Sequence, residues 1–306
     1  FERGKEIMKK LKGVIVAITT PFNDKEAIDL HALKKLTEHL VCSGVDCLYV
    51  AGTTGECQYL NENERKILAE TVVEHANKRV TVYVQAGANS TGETIRLAKH
   101  AQDIGADGIG CLTPSYFKVN GAEMIEHYCA VSNSLRDDFP MYLYNIPVLS
   151  GNDLTPETVQ KISERCKNIQ GIKYSISDVR RLCKYMRINN GKFSVLQGSD
   201  DISWPSYTSG VDGIVTGSAS ILPELFIGLD RAWKERDIER CLLINPLVEE
   251  LVWLIDGRIS AIKAILQYIG ICPNDRMRRP LVELSSEEKS YLFEKYGKIV
   301  SDYKNI

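Results

Sequence analysis

Lys173 closes the apolar run Ile169-Gln170-Gly171-Ile172-Lys173. A lysine costs free energy where a strand runs into a core, and an apolar site eases the loss of its proton. A neutral amine attacks a ketone and forms a Schiff base. Such chemistry needs a proton shuttle for the carbinolamine and for the C–C bond step. A phenol serves when hydroxyls connect it to other groups, and Tyr144 ends the preceding apolar run in Tyr144-Asn145-Ile146-Pro147. Thr53 and Thr54, in Gly52-Thr53-Thr54-Gly55-Glu56, supply hydroxyls. Their backbone N–H groups, in a glycine-flanked turn, suit a carboxylate. Glu56 reads as the anchor of that turn, not as a base. The plainer alternatives are a structural lysine paired with a carboxylate and an ordinary tight turn.

These residues need elements to carry them. Eight β-rich apolar runs stand out: Gly13–Phe22, Cys47–Gly52, Val80–Gly87, Gly108–Pro114, Met141–Pro147, Ile169–Ser175, Phe193–Asp200 and Gly213–Ala219. Most are continuous and not alternating, as expected of parallel strands buried on both faces. Between them lie segments of helical spacing, such as Leu30, Leu33, Leu36 and Leu40. Asn61-x-x-Glu64, Ser90-x-x-Glu93 and Thr155-x-x-Thr158 open three more helices, the second as a capping box. Gly44-Val45-Asp46, Gly105-Ala106-Asp107 and Gly210-Val211-Asp212 repeat one turn where helix returns to strand. The glycine suits a helix C-cap and the aspartate suits the turn.

This alternation predicts an α/β fold, a (β/α)8 TIM barrel over residues 1–235 with a C-terminal helical extension over residues 236–306. An open doubly wound sheet is the runner-up, weakened because no G-x-G-x-x-G follows the first strand. In a barrel the strand C-termini hold the site. They carry one amine, hydroxyls, tyrosines and glycine turns, whereas all five histidines fall on predicted helices. That argues against a histidine-bound metal or a histidine-based triad. Asp200 and Asp201 disfavour a phosphate in the loop after the seventh strand and suit a polyhydroxylated substrate, unless they serve as helix caps.

The bulk numbers exclude other classes. A net charge of −2 without basic blocks argues against a nucleic-acid binder. No stretch is long and apolar enough to span a bilayer. The start, Phe1 to Lys12, is charged and lacks the apolar core of a signal peptide. With no initiator Met, the natural N-terminus is expected upstream. The nine cysteines are scattered without C-x-x-C, as expected of free thiols in a reducing cytoplasm. Cys57 is the best placed of them to be a nucleophile, but no histidine lies at a neighbouring strand end.

Gly-Thr-Thr-Gly-Glu at 52–56, Tyr-Asn-Ile-Pro at 144–147 and Gly-Ile-Lys at 171–173 resemble the signatures of the dihydrodipicolinate synthase / N-acetylneuraminate lyase family. The resemblance runs from about Gly13 to Glu235. It implies that Lys173 forms the Schiff base with pyruvate or another 2-oxo acid, that Tyr144 gives and takes the proton, that Thr53 relays it and that Thr54 binds the carboxylate. It also implies that Tyr116 reaches into a neighbouring subunit's site, that the Val215 carbonyl lines the pocket and that the protein is a homotetramer, a dimer of dimers. Dihydrodipicolinate synthases typically carry an arginine two residues after Tyr-Asn-x-Pro. Leu149 stands there and cannot hold a carboxylate bidentately. The pattern therefore looks nearer to sialic acid lyases and 2-keto-3-deoxy sugar acid aldolases.

The expectation is a class I lyase that cleaves a 2-keto-3-deoxy sugar acid to pyruvate and an aldehyde, reversibly, in the cytoplasm. The covalent imine replaces any metal or organic cofactor. Ser175, Asp200, Asp201 and Ser218 are candidates for the substrate hydroxyls. The rivals are a dihydrodipicolinate synthase condensing pyruvate with aspartate semialdehyde, a dehydratase or hydratase-aldolase, and a non-catalytic keto-acid binder.

Overall fold

Each continuous apolar run becomes a strand over its earlier part and a loop, often buried as well, beyond it. The computed structural model describes residues 10–306, so most of the charged start Phe1–Lys12 lies outside the described residues. The strands are β1 (Gly13–Ala17), β2 (Cys47–Val50), β3 (Thr81–Gln85), β4 (Gly108–Leu112), β5 (Met141–Asn145), β6 (Ile169–Tyr174), β7 (Ser194–Gln197) and β8 (Gly213–Thr216). All are parallel and pair in chain order, and β8 returns to β1 to close the barrel.

The helices are α1 (Leu30–Ser43), α2 (Glu62–Ala76), α3 (Thr91–Asp103), α4 (Gly121–Asn133), α5 (Pro147–Ser150), α6 (Pro156–Arg165), α7 (Val179–Met186), α8 (Ser203–Ser209), α9 (Pro223–Glu235), α10 (Ile238–Ile255), α11 (Ile259–Tyr268) and α12 (Ser286–Lys304). The single turn α5 was not read from the sequence. Pro147 ends the β5 run early because its fixed φ starts this turn at the first helical position. Asn61 and Glu64 form a full capping box, whereas Ser90 accepts from the Glu93 N–H without the reciprocal bond. Asn120-x-x-Glu123 and Ser285-x-x-Glu288 are further full boxes.

The repeated αβ turn has one mechanism in all three copies. Gly44, Gly105 and Gly210 adopt left-handed φ of 81°, 79° and 98°, which glycine tolerates without a Cβ penalty. Asp46 then accepts from the Val14 N–H at 2.9 Å, Asp107 from Val82 at 2.9 Å and Asp212 from Val195 at 3.2 Å. Each aspartate satisfies the amide of the second residue of the preceding strand and so sets where the new strand joins the barrel.

Tyr49, Tyr83, Tyr142, Leu196, Val215 and Ile15 fill the barrel interior. Leu11 closes the floor, its N–H donating to the Tyr142 hydroxyl at 3.0 Å. The outer core lies between strands and helices and continues without a break into Cys241, Leu251, Ile265 and Leu292 of α10–α12.

Candidate active site

The β5–β6 register sets Tyr144 directly beside Lys173. Lys173 is 5% exposed. Its Nζ lies 4.0 Å from the centroid of the Tyr144 ring and 5.0 Å from that of Tyr49. The two rings meet edge to face at 6.3 Å. Burial raises the Tyr49 phenol well above its usual value, with Tyr144 adding to the effect, so Tyr49 stays neutral. The alternative of a lysine tied to a carboxylate does not hold: among the described residues the buried lysine–carboxylate pair in this region is Lys263–Glu56.

Tyr144 connects onward. Its hydroxyl and the Thr53 Oγ1 lie 3.1 Å apart, and either can donate. Thr53 belongs to a hydrogen-bonded turn in which the Gly55 N–H donates to the Gly52 carbonyl at 3.1 Å and the Glu56 N–H to the Thr53 carbonyl at 2.9 Å. The Thr20 hydroxyl donates to the Gly55 carbonyl at 2.7 Å and fastens the turn to the loop after β1. An amine, a phenol and a threonine hydroxyl thus follow one another at the strand C-termini. Nucleophilic attack and proton transfer can both occur there. Beside them opens a largely apolar cleft of about 380 Å³, lined by Thr53, Leu112, Ser115, Ile146, Leu149 and Leu281 among others.

A family model described as the dihydrodipicolinate synthetase family matches residues 10–297. The chain belongs to this family. Its relatives include the Escherichia coli K12 protein described as probable 2-dehydro-3-deoxy-D-pentonate aldolase YjhH, 35% identical over 92% of this chain and 95% of that protein. The 4-hydroxy-tetrahydrodipicolinate synthase of Geobacter metallireducens is 33% identical over 96% of this chain and 99% of that one. Among solved structures, Escherichia coli K12 YagE in complex with pyruvate superposes with a TM-score of 0.91 at 29% identity, over 95% of this chain and 99% of that one. Family membership makes the chain a lyase of the class I pyruvate-dependent aldolases.

The other residues singled out in the sequence are spread over the ends of β2, β4, β6, β7 and β8. Ser175 and Thr54 stand close to the amine and to the β8 end. A Cβ at Gly198 would lie 2.2 Å from Ser175 Oγ and 2.7 Å from Lys173 Cε, so both flank this glycine. The Ser175 hydroxyl is buried without a partner. Asp200 and Ser218 engage each other: the carboxylate accepts from the Ser218 hydroxyl at 2.6 Å and the Thr216 hydroxyl at 2.8 Å. Burial pushes the Asp200 carboxyl up, against those hydroxyls and the Lys173 charge, which pull it down. Asp201 is exposed and accepts from Ser177 at 2.6 Å. Val215 directs its side chain into the barrel interior.

Tyr116 stands apart from this group within the chain. It is 88% exposed, has a left-handed φ of 75° and packs edge-on against Phe117. No hydrogen bond joins it to Thr53 or Tyr144. Cys57 is buried, and burial raises its thiol, which makes it a poor nucleophile. All five histidines lie on helices: His31 and His39 on α1, His75 on α2, His100 on α3 and His127 on α4.

Two supporting residues escaped the sequence reading. Asn145, inside Tyr-Asn-Ile-Pro, donates to Asp153 at 2.8 Å and accepts from the Leu154 N–H at 3.2 Å, so it clamps the segment after α5. Asn152 donates to the Pro114 and Phe117 carbonyls at 2.9 and 2.8 Å and holds the loop that carries Tyr116. Their partners come from loops far apart in sequence or from irregular backbone, and no periodic signal marks either residue.

Proposed function

We infer that the protein cleaves a 2-keto-3-deoxy sugar acid, of the sialic acid or ketodeoxygluconate type, to pyruvate and an aldehyde, and catalyses the reverse addition. The observation that carries this reading is the contiguous set Lys173, Tyr144 and Thr53. The Lys173 amine attacks C2 of the keto acid, and its proton passes to the carbonyl oxygen to give a carbinolamine. Loss of water leaves an iminium. The C3–C4 bond then breaks, its electron pair flowing to the iminium nitrogen, while the Tyr144 oxygen takes the C4 hydroxyl proton and the aldehyde leaves. The enamine gains a proton at C3, and water releases pyruvate. Thr53 relays the proton between Tyr144 and solvent, and the turn at Thr54 holds the carboxylate. The iminium is itself the electron sink, so this chemistry calls for neither metal nor organic cofactor.

The finer assignments rest on the same reading. Ser175, Asp200, Asp201 and Ser218 are proposed to meet the hydroxyls of the sugar acid, and the Val215 carbonyl to line the pocket. Tyr116, exposed on its own chain, completes the site of a neighbouring copy in a homotetramer. Residues 1–235 carry the chemistry, and residues 236–306 form the extension. Among the described residues no helix is long and apolar enough to cross a membrane, and nine free cysteines fit a reducing cytoplasm.

The second reading, condensation of pyruvate with aspartate semialdehyde, is favoured by relatives such as the Geobacter metallireducens enzyme. It is weakened by Leu149, which is 64% exposed at the cleft mouth and offers nothing to a second carboxylate. Incubation with pyruvate and borohydride should leave a reduced pyruvyl group on Lys173 by peptide mass spectrometry. No adduct, or one on another lysine, sinks the mechanism. A panel of aldehydes offered with pyruvate decides between the readings: preference for aspartate semialdehyde overturns the first.

A further inference from the structure

The Thr53-Thr54 turn is held from the far end of the chain. Glu56, its last residue, has a left-handed φ of 58° and is buried. Its carboxylate forms an ion pair with Lys263 of α11, and the two side chains are 0% and 4% exposed. The pair makes two further hydrogen bonds, one from each side chain. The second Glu56 oxygen accepts from the Arg278 N–H at 3.0 Å, and Lys263 Nζ donates to the Arg276 carbonyl at 2.8 Å. Phe22 lies under both cations, 4.3 Å from Lys263 Nζ and 4.6 Å from the Arg278 guanidinium. Ile262, the preceding residue on α11, reaches the same corner. A Cβ at Gly217 would lie 3.0 Å from Thr54 Cγ2 and 3.3 Å from Ile262 Cδ1.

A buried ion pair is a poor device for stability alone, because desolvation of both charges offsets their attraction. It is a good device for fixing geometry, since charge-assisted hydrogen bonds are short and directional. The geometry points to Lys263 as a positioning residue. Through the Glu56 carboxylate it sets the turn so that the Thr53 hydroxyl meets Tyr144 and the turn's N–H groups face the keto acid at Lys173. The extension beyond the barrel is then part of the catalytic apparatus, although Lys263 itself touches no reacting atom. This assignment rests on the reading that Lys173 forms the imine.

The test compares Glu56→Asp, which draws the carboxylate back by one methylene, with the double variant Glu56→Gln/Lys263→Met, which removes both charges together and leaves neither stranded. Each is followed by thermal denaturation and by borohydride trapping of pyruvate on Lys173 across a range of pyruvate concentrations. The expected result is folded protein in which half-saturation by pyruvate rises about tenfold to a hundredfold, the scale of a misplaced positioning group. Tyr144→Phe serves as the comparison, with slow turnover and near-normal half-saturation. Folded variants with half-saturation within about twofold of the parent overturn the proposal, while continued trapping on Lys173 leaves the function itself standing. A double variant that fails to fold assigns the pair to stability and also overturns it. Absence of trapping in the parent protein defeats the function and not this inference alone.

Discussion

At the scale of single residues, the amine and the phenol divide the work. Lys173→Ala should abolish turnover and borohydride trapping together, because no other side chain can form the imine at that position. Tyr144→Phe should keep slow imine formation and lose about 10²- to 10⁴-fold in kcat, the usual worth of a positioned acid–base group. Stopped-flow kinetics of the two steps would separate these outcomes. Leu149→Arg tests specificity: it should raise kcat/KM for aspartate semialdehyde relative to sugar-derived aldehydes by roughly tenfold, the effect of about 1.4 kcal/mol. The residue types and their motifs were legible in the sequence. The exclusion of Cys57 as a nucleophile was only partly so, because its burial depends on tertiary packing beside β3, where the Gln85 amide donates to its Sγ at 3.7 Å.

At the scale of elements, the αβ turn sets strand order and height with two residues per copy. Gly44→Ala should destabilise the fold by about 1 kcal/mol, since a Cβ at positive φ is strained. Asp46→Ala should cost about 1–3 kcal/mol by leaving the Val14 N–H without its partner. Asp46→Asn, which keeps an accepting oxygen, should cost less. Urea unfolding midpoints at unchanged slope check all three. The three copies were visible in sequence because a turn is a local pattern. That the aspartate reaches back to the preceding strand was not visible, since its partner lies 32 residues away in the first copy.

At the scale of the whole molecule, stability responds to pH through a buried histidine. Burial lowers His127 to about 4, and its ring stays beside the Thr91 hydroxyl at 2.9 Å. The unfolded chain binds the proton more readily, so the stabilising effect is complete above about pH 6.5 and is lost as pH falls toward 4. The loss should reach roughly 3 kcal/mol at 1.36 kcal/mol per unit of pKa. His127→Phe should flatten the fall in unfolding free energy between these pH values. An unchanged slope would show that His127 is accessible to protons in the native fold.

Taken alone, the sequence determined the periodicities, the turn chemistry and the reactive types. Each of these depends on residues a few positions apart: apolar runs for strands, three- and four-residue spacing for helices, glycine and aspartate for the turn. It also carried the family's signature pieces, and with them the reaction class. Tertiary structure decided which of those residues meet. The β7–β8 pairing brings Thr216 and Ser218 to Asp200. The β5–β6 register lays Tyr144 against Lys173. Arg278 reaches Glu56 across 222 residues of chain, beside the Lys263 ion pair. No local pattern encodes such contacts, because their geometry exists only once the barrel has closed and the last helices have packed against it.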